Sequence, residues 1–128
     1  MNWTVVAAIA AGGAAGSVAR YAITVFFQRM YSTEFPWWTL SINVIGSFVL
    51  GVIVTTCALR WPVGHLGQAF LMVGLLGGFT TFSAFSLDVV TLVERNANVA
   101  AAGYIIGSLI LSIAGLLSGI ALTKALLA

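Results

Sequence analysis

Gly77-Gly78-Phe79-Thr80-Thr81-Phe82-Ser83-Ala84-Phe85-Ser86 lies inside an apolar segment that is otherwise long enough to cross a bilayer. Two adjacent glycines and a run of hydroxyl residues are a poor composition for a lipid-facing helix. Each glycine costs roughly 1 kcal/mol relative to alanine in a helix interior. A broken helix at membrane depth is tolerated only where the freed backbone is buried in protein or lines a wet cavity. This stretch therefore predicts a transmembrane helix interrupted where something polar is handled.

The rest of the chain supports a membrane setting. Of 128 residues, 61% are hydrophobic and 6% are charged, against about 25% charged in a soluble domain. Such a chain has too few polar groups to cover itself in water. Five basic and three acidic residues give a net charge of +2, and no Lys/Arg cluster exists to neutralise phosphates, which argues against nucleic acid. The single cysteine, Cys57, sits in an apolar run and reads as a small buried hydrophobe. No His/Cys/carboxylate cluster has metal-ligand spacing, and the lone His65 reads as a solvated loop residue. The first apolar run lacks a preceding basic region, which argues against a cleaved signal peptide.

A spanning helix needs about 20 mostly apolar residues. Four segments fit: about Trp3 to Phe27, Trp37 to Leu59, Leu66 to Val93 with the break inside it, and Val99 to Leu127. Trp3, Trp37, Trp38 and Trp61 fall near span ends, as an interfacial aromatic belt requires. The connections are short, no internal repeat is evident, and residues 1–128 read as one four-helix membrane domain. An even number of spans puts both termini on one side, together with Arg60 and Lys124. The other side holds Arg29 and Arg95, with Arg20 inside the first span. Orientation follows the Lys/Arg bias between sides, and here that bias is close to nil. Either one loop charge decides the orientation, or the chain inserts both ways up. Insertion both ways permits an antiparallel homodimer with the inverted two-fold symmetry that many transporters obtain from internal repeats.

Four glycine pairs, Gly12/Gly16, Gly74/Gly78, Gly103/Gly107 and Gly115/Gly119, have the spacing of close helix contacts. Asn43 is the only amide well inside a span, and an unsatisfied amide in hydrocarbon costs several kcal/mol, so it must face protein or water. Thr39, Asn43 and Ser47 form one polar stripe at i, i+4, i+8, and Tyr104, Ser108 and Ser112 form another. For any single hydroxyl, interhelical bonding explains the residue. Two uncharged stripes beside a broken helix predict a polar path. Phe82 and Phe85 share a face of the third helix, and aromatic ring edges are electropositive. Neutral donors and ring edges bind an anion without trapping it, as conduction requires. The break also exposes carbonyls of the kind that coordinate cations in other membrane folds; two copies of the segment crossing at a dimer axis would hold one structural ion. Arg20 either snorkels from near its span end or raises the positive potential at a vestibule. Asp88, one turn past Phe85, is expected to pair with a basic group or to end in water.

These residues resemble the Fluc (CrcB) fluoride channels over essentially the whole chain. The matching motifs are Gly12-Gly13-Ala14-Ala15-Gly16-Ser17-Val18-Ala19-Arg20-Tyr21, Thr39-Leu40-Ser41-Ile42-Asn43-Val44-Ile45-Gly46-Ser47 and the Gly77 to Ser86 string. The resemblance implies a dual-topology antiparallel homodimer with two pores in the cell (inner) membrane, exporting fluoride passively. Residue by residue it implies Phe82 and Phe85 as ring-edge residues of the path and Asn43 as the pore asparagine. Tyr104, Ser108 and Ser112 resemble the polar track, with Thr39 beside Asn43. Arg20 resembles the vestibule base. The Gly77 and Thr80 backbone carbonyls resemble ligands of a central structural Na⁺. Asp88 stands where the family commonly has Glu, and Ala84 where Ser or Thr is commoner.

Two other readings compete. A small four-helix proton-coupled multidrug antiporter needs a membrane-buried carboxylate, yet Glu34, Asp88 and Glu94 all lie away from span centres. A structural subunit of a larger complex leaves the Gly77–Ser86 break unexplained. No constellation for catalysis is present in the sequence, which reads as a channel rather than an enzyme.

Overall fold

The computed structural model describes residues 1–127, and these are all helical apart from short connections. Four helical spans are long and apolar enough to cross a membrane: Trp3–Met30, Trp37–Leu59, His65–Glu94 and Asn98–Leu127. The chain is thus a multi-pass membrane protein. The first helix runs three residues past the expected Phe27. Gln28, Arg29 and Met30 are good helix formers, and no breaker intervenes. His65 opens the third span as the first residue of its initial turn rather than sitting in the preceding loop.

The third span is two half-helices. Its leading half, residues 65–79, begins with an α-helical turn and widens into π-helical turns over Ala69–Leu76. It narrows again at Gly77–Phe79. Thr80 and Thr81 are extended, with φ/ψ of −75/157° and −152/117°. The trailing half, Phe82–Glu94, starts anew with Thr81 as N-cap, whose hydroxyl accepts the Ala84 N–H at 3.1 Å. It ends in a Schellman turn. Asn96 adopts φ 59°, the Asn96 N–H donates to the Val93 carbonyl, and the Ala97 N–H donates to the Leu92 carbonyl. This reversal delivers the fourth span alongside the trailing half.

Glycines make two seams. A Cβ at Gly16 would overlap the Leu75 carbonyl oxygen, and one at Gly78 would come within 2.6 Å of the Gly13 carbonyl oxygen, so the first span lies backbone to backbone on the leading half. A Cβ at Gly51 would overlap the Leu116 carbonyl, and one at Gly119 the Phe48 carbonyl, which sets the second span on the fourth. Gly103 and Gly107 differ. A Cβ at either would meet no other part of the described chain within 4 Å, so their expected close packing is absent within one copy.

Both ends of the bundle are tied. Arg60 donates from Nε and Nη2 to the Leu127 carbonyl at 3.1 and 3.0 Å, which joins the second loop to the end of the fourth span. A guanidinium on a helix's last carbonyls also complements its dipole. At the opposite end, Leu40, Leu92, Ala101 and Tyr104 form a buried cluster with Phe35 and Phe85 packed on it.

Candidate functional site

The break is held open by substitution of hydrogen bonds. In a continuous helix the Thr81 N–H would go to the Gly77 carbonyl, and the Ala84 N–H to the Thr80 carbonyl. Instead the Thr81 N–H donates to Asn43 Oδ1 at 2.8 Å, and the Ala84 N–H goes to the Thr81 hydroxyl. Asn43 Nδ2 in turn donates to the Thr81 carbonyl at 3.0 Å. One side-chain amide from the second span thereby replaces the helical acceptor of the Thr81 N–H and adds a donor to the Thr81 carbonyl, which as N-cap also opens the trailing half's own bonding. The Gly77 and Thr80 carbonyls are freed in exchange. Asn43 keeps one N–H to offer, since its amide carries two donors. The Thr80 N–H and hydroxyl both close on the Leu76 carbonyl, at 2.9 and 2.8 Å, ending the leading half cleanly.

A cavity of about 380 Å³ opens beside this break. Asn43 and Ser47 of the second span, Phe82 and Phe85 of the third, and Ser108 and Ser112 of the fourth all line it, as do Gly77, Thr80 and Thr81. Helical spacing explains the arrangement: Asn43/Ser47 and Ser108/Ser112 are each one turn apart, and each pair turns one face to the same space. None of its lining residues is charged. Ser108 is 7% exposed and its hydroxyl has no hydrogen-bond partner, although Oγ is fully buried. An orphaned hydroxyl is costly and is retained where a ligand or water satisfies it. The rings of Phe82 and Phe85 sit 5.5 Å apart at 44°. Phe82 is 76% exposed, so the cavity is open on its side.

Thr39 and Tyr104, expected in the same path, are elsewhere. Neither lines the cavity, and both are buried. Tyr104 is long enough to reach across to the trailing half, where its hydroxyl donates to Asp88 Oδ2 at 3.0 Å. Its ring packs on Phe85 at 5.2 Å and edge-on to Phe35 at 5.5 Å. Tyr104 backs the Phe85 ring rather than facing the cavity. Asp88 therefore meets a phenol, neither a basic group nor bulk water alone, contrary to both expectations. Arg20 lies one turn beyond Gly16 on the seam face. Its Nη1 donates to the Thr80 carbonyl at 3.5 Å, so the guanidinium points at the break instead of snorkelling away from it.

Thr81 is the residue the sequence reading passed over. It caps the trailing half and receives both bonds of Asn43. The available signal was a threonine directly before a fresh apolar helix, a common N-cap pattern.

Residues 7–120 match the model of the family described as CrcB-like protein, Camphor Resistance (CrcB). A fluoride-specific ion channel FluC of Nitrobacter winogradskyi is 47% identical over 124 residues, covering 97% of this chain and 98% of that protein. Proteins of the same name from Rhodospirillum centenum and Agrobacterium fabrum are 51% and 47% identical. The first alignment covers 91% of this chain and 93% of the relative, the second 93% and 95%.

Proposed function

The chain belongs to the CrcB-like family, and from that premise we propose that it is a fluoride-selective channel letting F⁻ leave the cytoplasm passively through the inner membrane. The observation that carries the reading is the unpartnered Ser108 hydroxyl, buried in an uncharged cavity beside the Phe82 and Phe85 rings. Donor O–H and N–H groups and positive ring edges replace water around a small anion. The lack of a full charge on the lining lets the ion go again. Fluoride enters cells as neutral HF and dissociates inside. A negative membrane potential then drives the anion out, with about 2.3 kcal/mol per 100 mV available for each charge. Relatives named as fluoride-specific channels support the choice of ion. The antiporter reading gains nothing from the site: Asp88 lies off the cavity and already accepts from Tyr104.

The working unit is an antiparallel homodimer. The exposed Phe82 ring and the uncovered Gly103/Gly107 face support this reading, since a second copy has room to pack on both. The freed Gly77 and Thr80 carbonyls fit a sodium ion at the dimer axis, because neutral oxygens with no helical donor suit a hard cation. When bound, that ion would supply a fixed positive charge to broken backbone from both copies.

Efflux from liposomes loaded with fluoride or chloride tests the channel. Fast F⁻ release with Cl⁻ retained is expected; equal release of both would overturn selectivity. Cysteines placed near the C-terminus and labelled from one side test the orientation. Half labelling is expected, and complete or absent labelling would reject dual insertion.

A further inference from the structure

Arg20 is a guanidinium at membrane depth whose hydrogen-bond partner is a backbone carbonyl, that of Thr80. Intramembrane arginines pair with carboxylates or with backbone carbonyls. Here the carbonyl is available only because the Thr81 hydroxyl has taken the Ala84 N–H. The same oxygen is one of the two that fit the axial sodium ion. We infer that Arg20 and the sodium ion compete for the Thr80 carbonyl, so that sodium binding releases Arg20 from the break. This rests on the sodium reading above and assigns a regulatory coupling to that site.

The physical basis is charge. A carbonyl oxygen has two lone pairs and can accept twice, but two unit positive charges on one oxygen repel. At an intermediate dielectric, that repulsion amounts to about tenfold or more in cation affinity. The coupling is reciprocal. Sodium loosens the guanidinium by the same factor by which the guanidinium weakens sodium. In an antiparallel pair one ion would face two such guanidinia. Release leaves the guanidinium's charge unchanged and moves it off Thr80, which lines the cavity, so sodium occupancy sets where that anion-attracting charge sits.

The position of Arg20 suits this role. Gly12, Gly16 and Arg20 lie at i, i+4, i+8 on the face that meets the leading half. At the first two positions a side chain would strike backbone. The third comes just past Phe79, where the helix stops and a carbonyl is exposed. A charge placed one turn earlier would have no acceptor.

The test is thermal unfolding of the purified protein in detergent, titrated with NaCl against N-methylglucamine chloride at constant ionic strength. The wild type is expected to gain stability with sodium. Arg20→Gln keeps a donor for Thr80 and removes the charge, and its sodium midpoint is expected to fall by about tenfold or more. A sodium-dependent wild type with an unchanged or raised midpoint in Arg20→Gln overturns the competition while leaving the sodium site standing. A sodium-independent wild type overturns the sodium reading and the competition with it. Should Arg20→Gln fail to fold, guanidinium NMR of the wild type decides, with the Arg20 signal identified by Arg20→Lys. A signal that moves along the sodium titration supports release, and one indifferent to sodium overturns it.

Discussion

Asn43 holds the Thr81 residue at both its peptide groups, accepting from its N–H at 2.8 Å and donating to its carbonyl at 3.0 Å. The asparagine is therefore part of the backbone's hydrogen bonding as well as of the cavity wall. Asn43→Leu leaves the buried Thr81 N–H unpaired, at about 1–3 kcal/mol, and takes one of two donors from the Thr81 carbonyl. A large fall in melting temperature together with lost fluoride efflux is expected. Asn43→Asp keeps the acceptor and loses the donor, so its melting temperature should lie between those of Asn43→Leu and the wild type. A thermal melt of the three proteins side by side checks the order.

Ser108→Ala separates transport from folding. The hydroxyl has no partner in the folded chain, so removing it takes away a buried unsatisfied group and should leave stability equal or raised by up to about 1 kcal/mol. Fluoride efflux should drop by about tenfold or more if the hydroxyl strips water from the ion, since one charge-assisted bond contributes about 1.5–3 kcal/mol. A destabilised protein with normal efflux would remove Ser108 from the path.

Phe82→Ile and Phe85→Ile keep apolar bulk and delete the ring edge. Both should lower fluoride efflux while the protein elutes unchanged on gel filtration. Phe85→Ile should also cost stability, by about 0.5–1.5 kcal/mol for the lost aromatic pair with Tyr104. Phe82→Ile loses only the pair with Phe85, on a largely exposed ring, so its cost should be the smaller of the two.

Tyr104→Phe removes the donor to Asp88 and leaves the ring in place against Phe85. The expected result is a loss of about 1–3 kcal/mol in stability, with a smaller effect on efflux than Ser108→Ala. A larger efflux loss than that of Ser108→Ala would put the Tyr104 hydroxyl back on the ion's route.

Glycine substitutions read the seams. Gly16→Val drives a side chain into the Leu75 carbonyl, and overpacking of this kind costs about 1–3 kcal/mol or more. Gly107→Val meets nothing within the chain. It should leave the fold of a separated copy intact and weaken association of two copies, which native mass spectrometry or single-molecule photobleaching would detect.

The four spans and the site of the break were legible in the sequence because both rest on composition: long apolar runs, and a Gly-Gly followed by hydroxyls. Which polar side chains meet was only partly legible. Helical spacing correctly joined Asn43 with Ser47 and Ser108 with Ser112, but it also enrolled Thr39 and Tyr104. Periodicity gives a face and not a reach, and Tyr104 spends its hydroxyl on Asp88. The π-helical turns over Ala69–Leu76 left no trace in the residue pattern, since a shift in backbone bonding register needs no particular side chain. Gly103/Gly107 and Gly115/Gly119 look alike as strings. Only the latter pair finds a neighbour in one chain.

The glycine seam between the first span and residues 65–79 has a mechanical corollary. With carbonyls seated where side chains would otherwise be, that contact has few rotamers to rearrange and fixes the two backbones against each other. The trailing half follows two extended threonines and is held by the Asn43 amide, the Tyr104 phenol and the buried cluster around Leu92. A swing of Phe82–Glu94 about Thr80–Thr81 would carry the Phe82 and Phe85 side of the cavity with it and leave the glycine-seamed half in place.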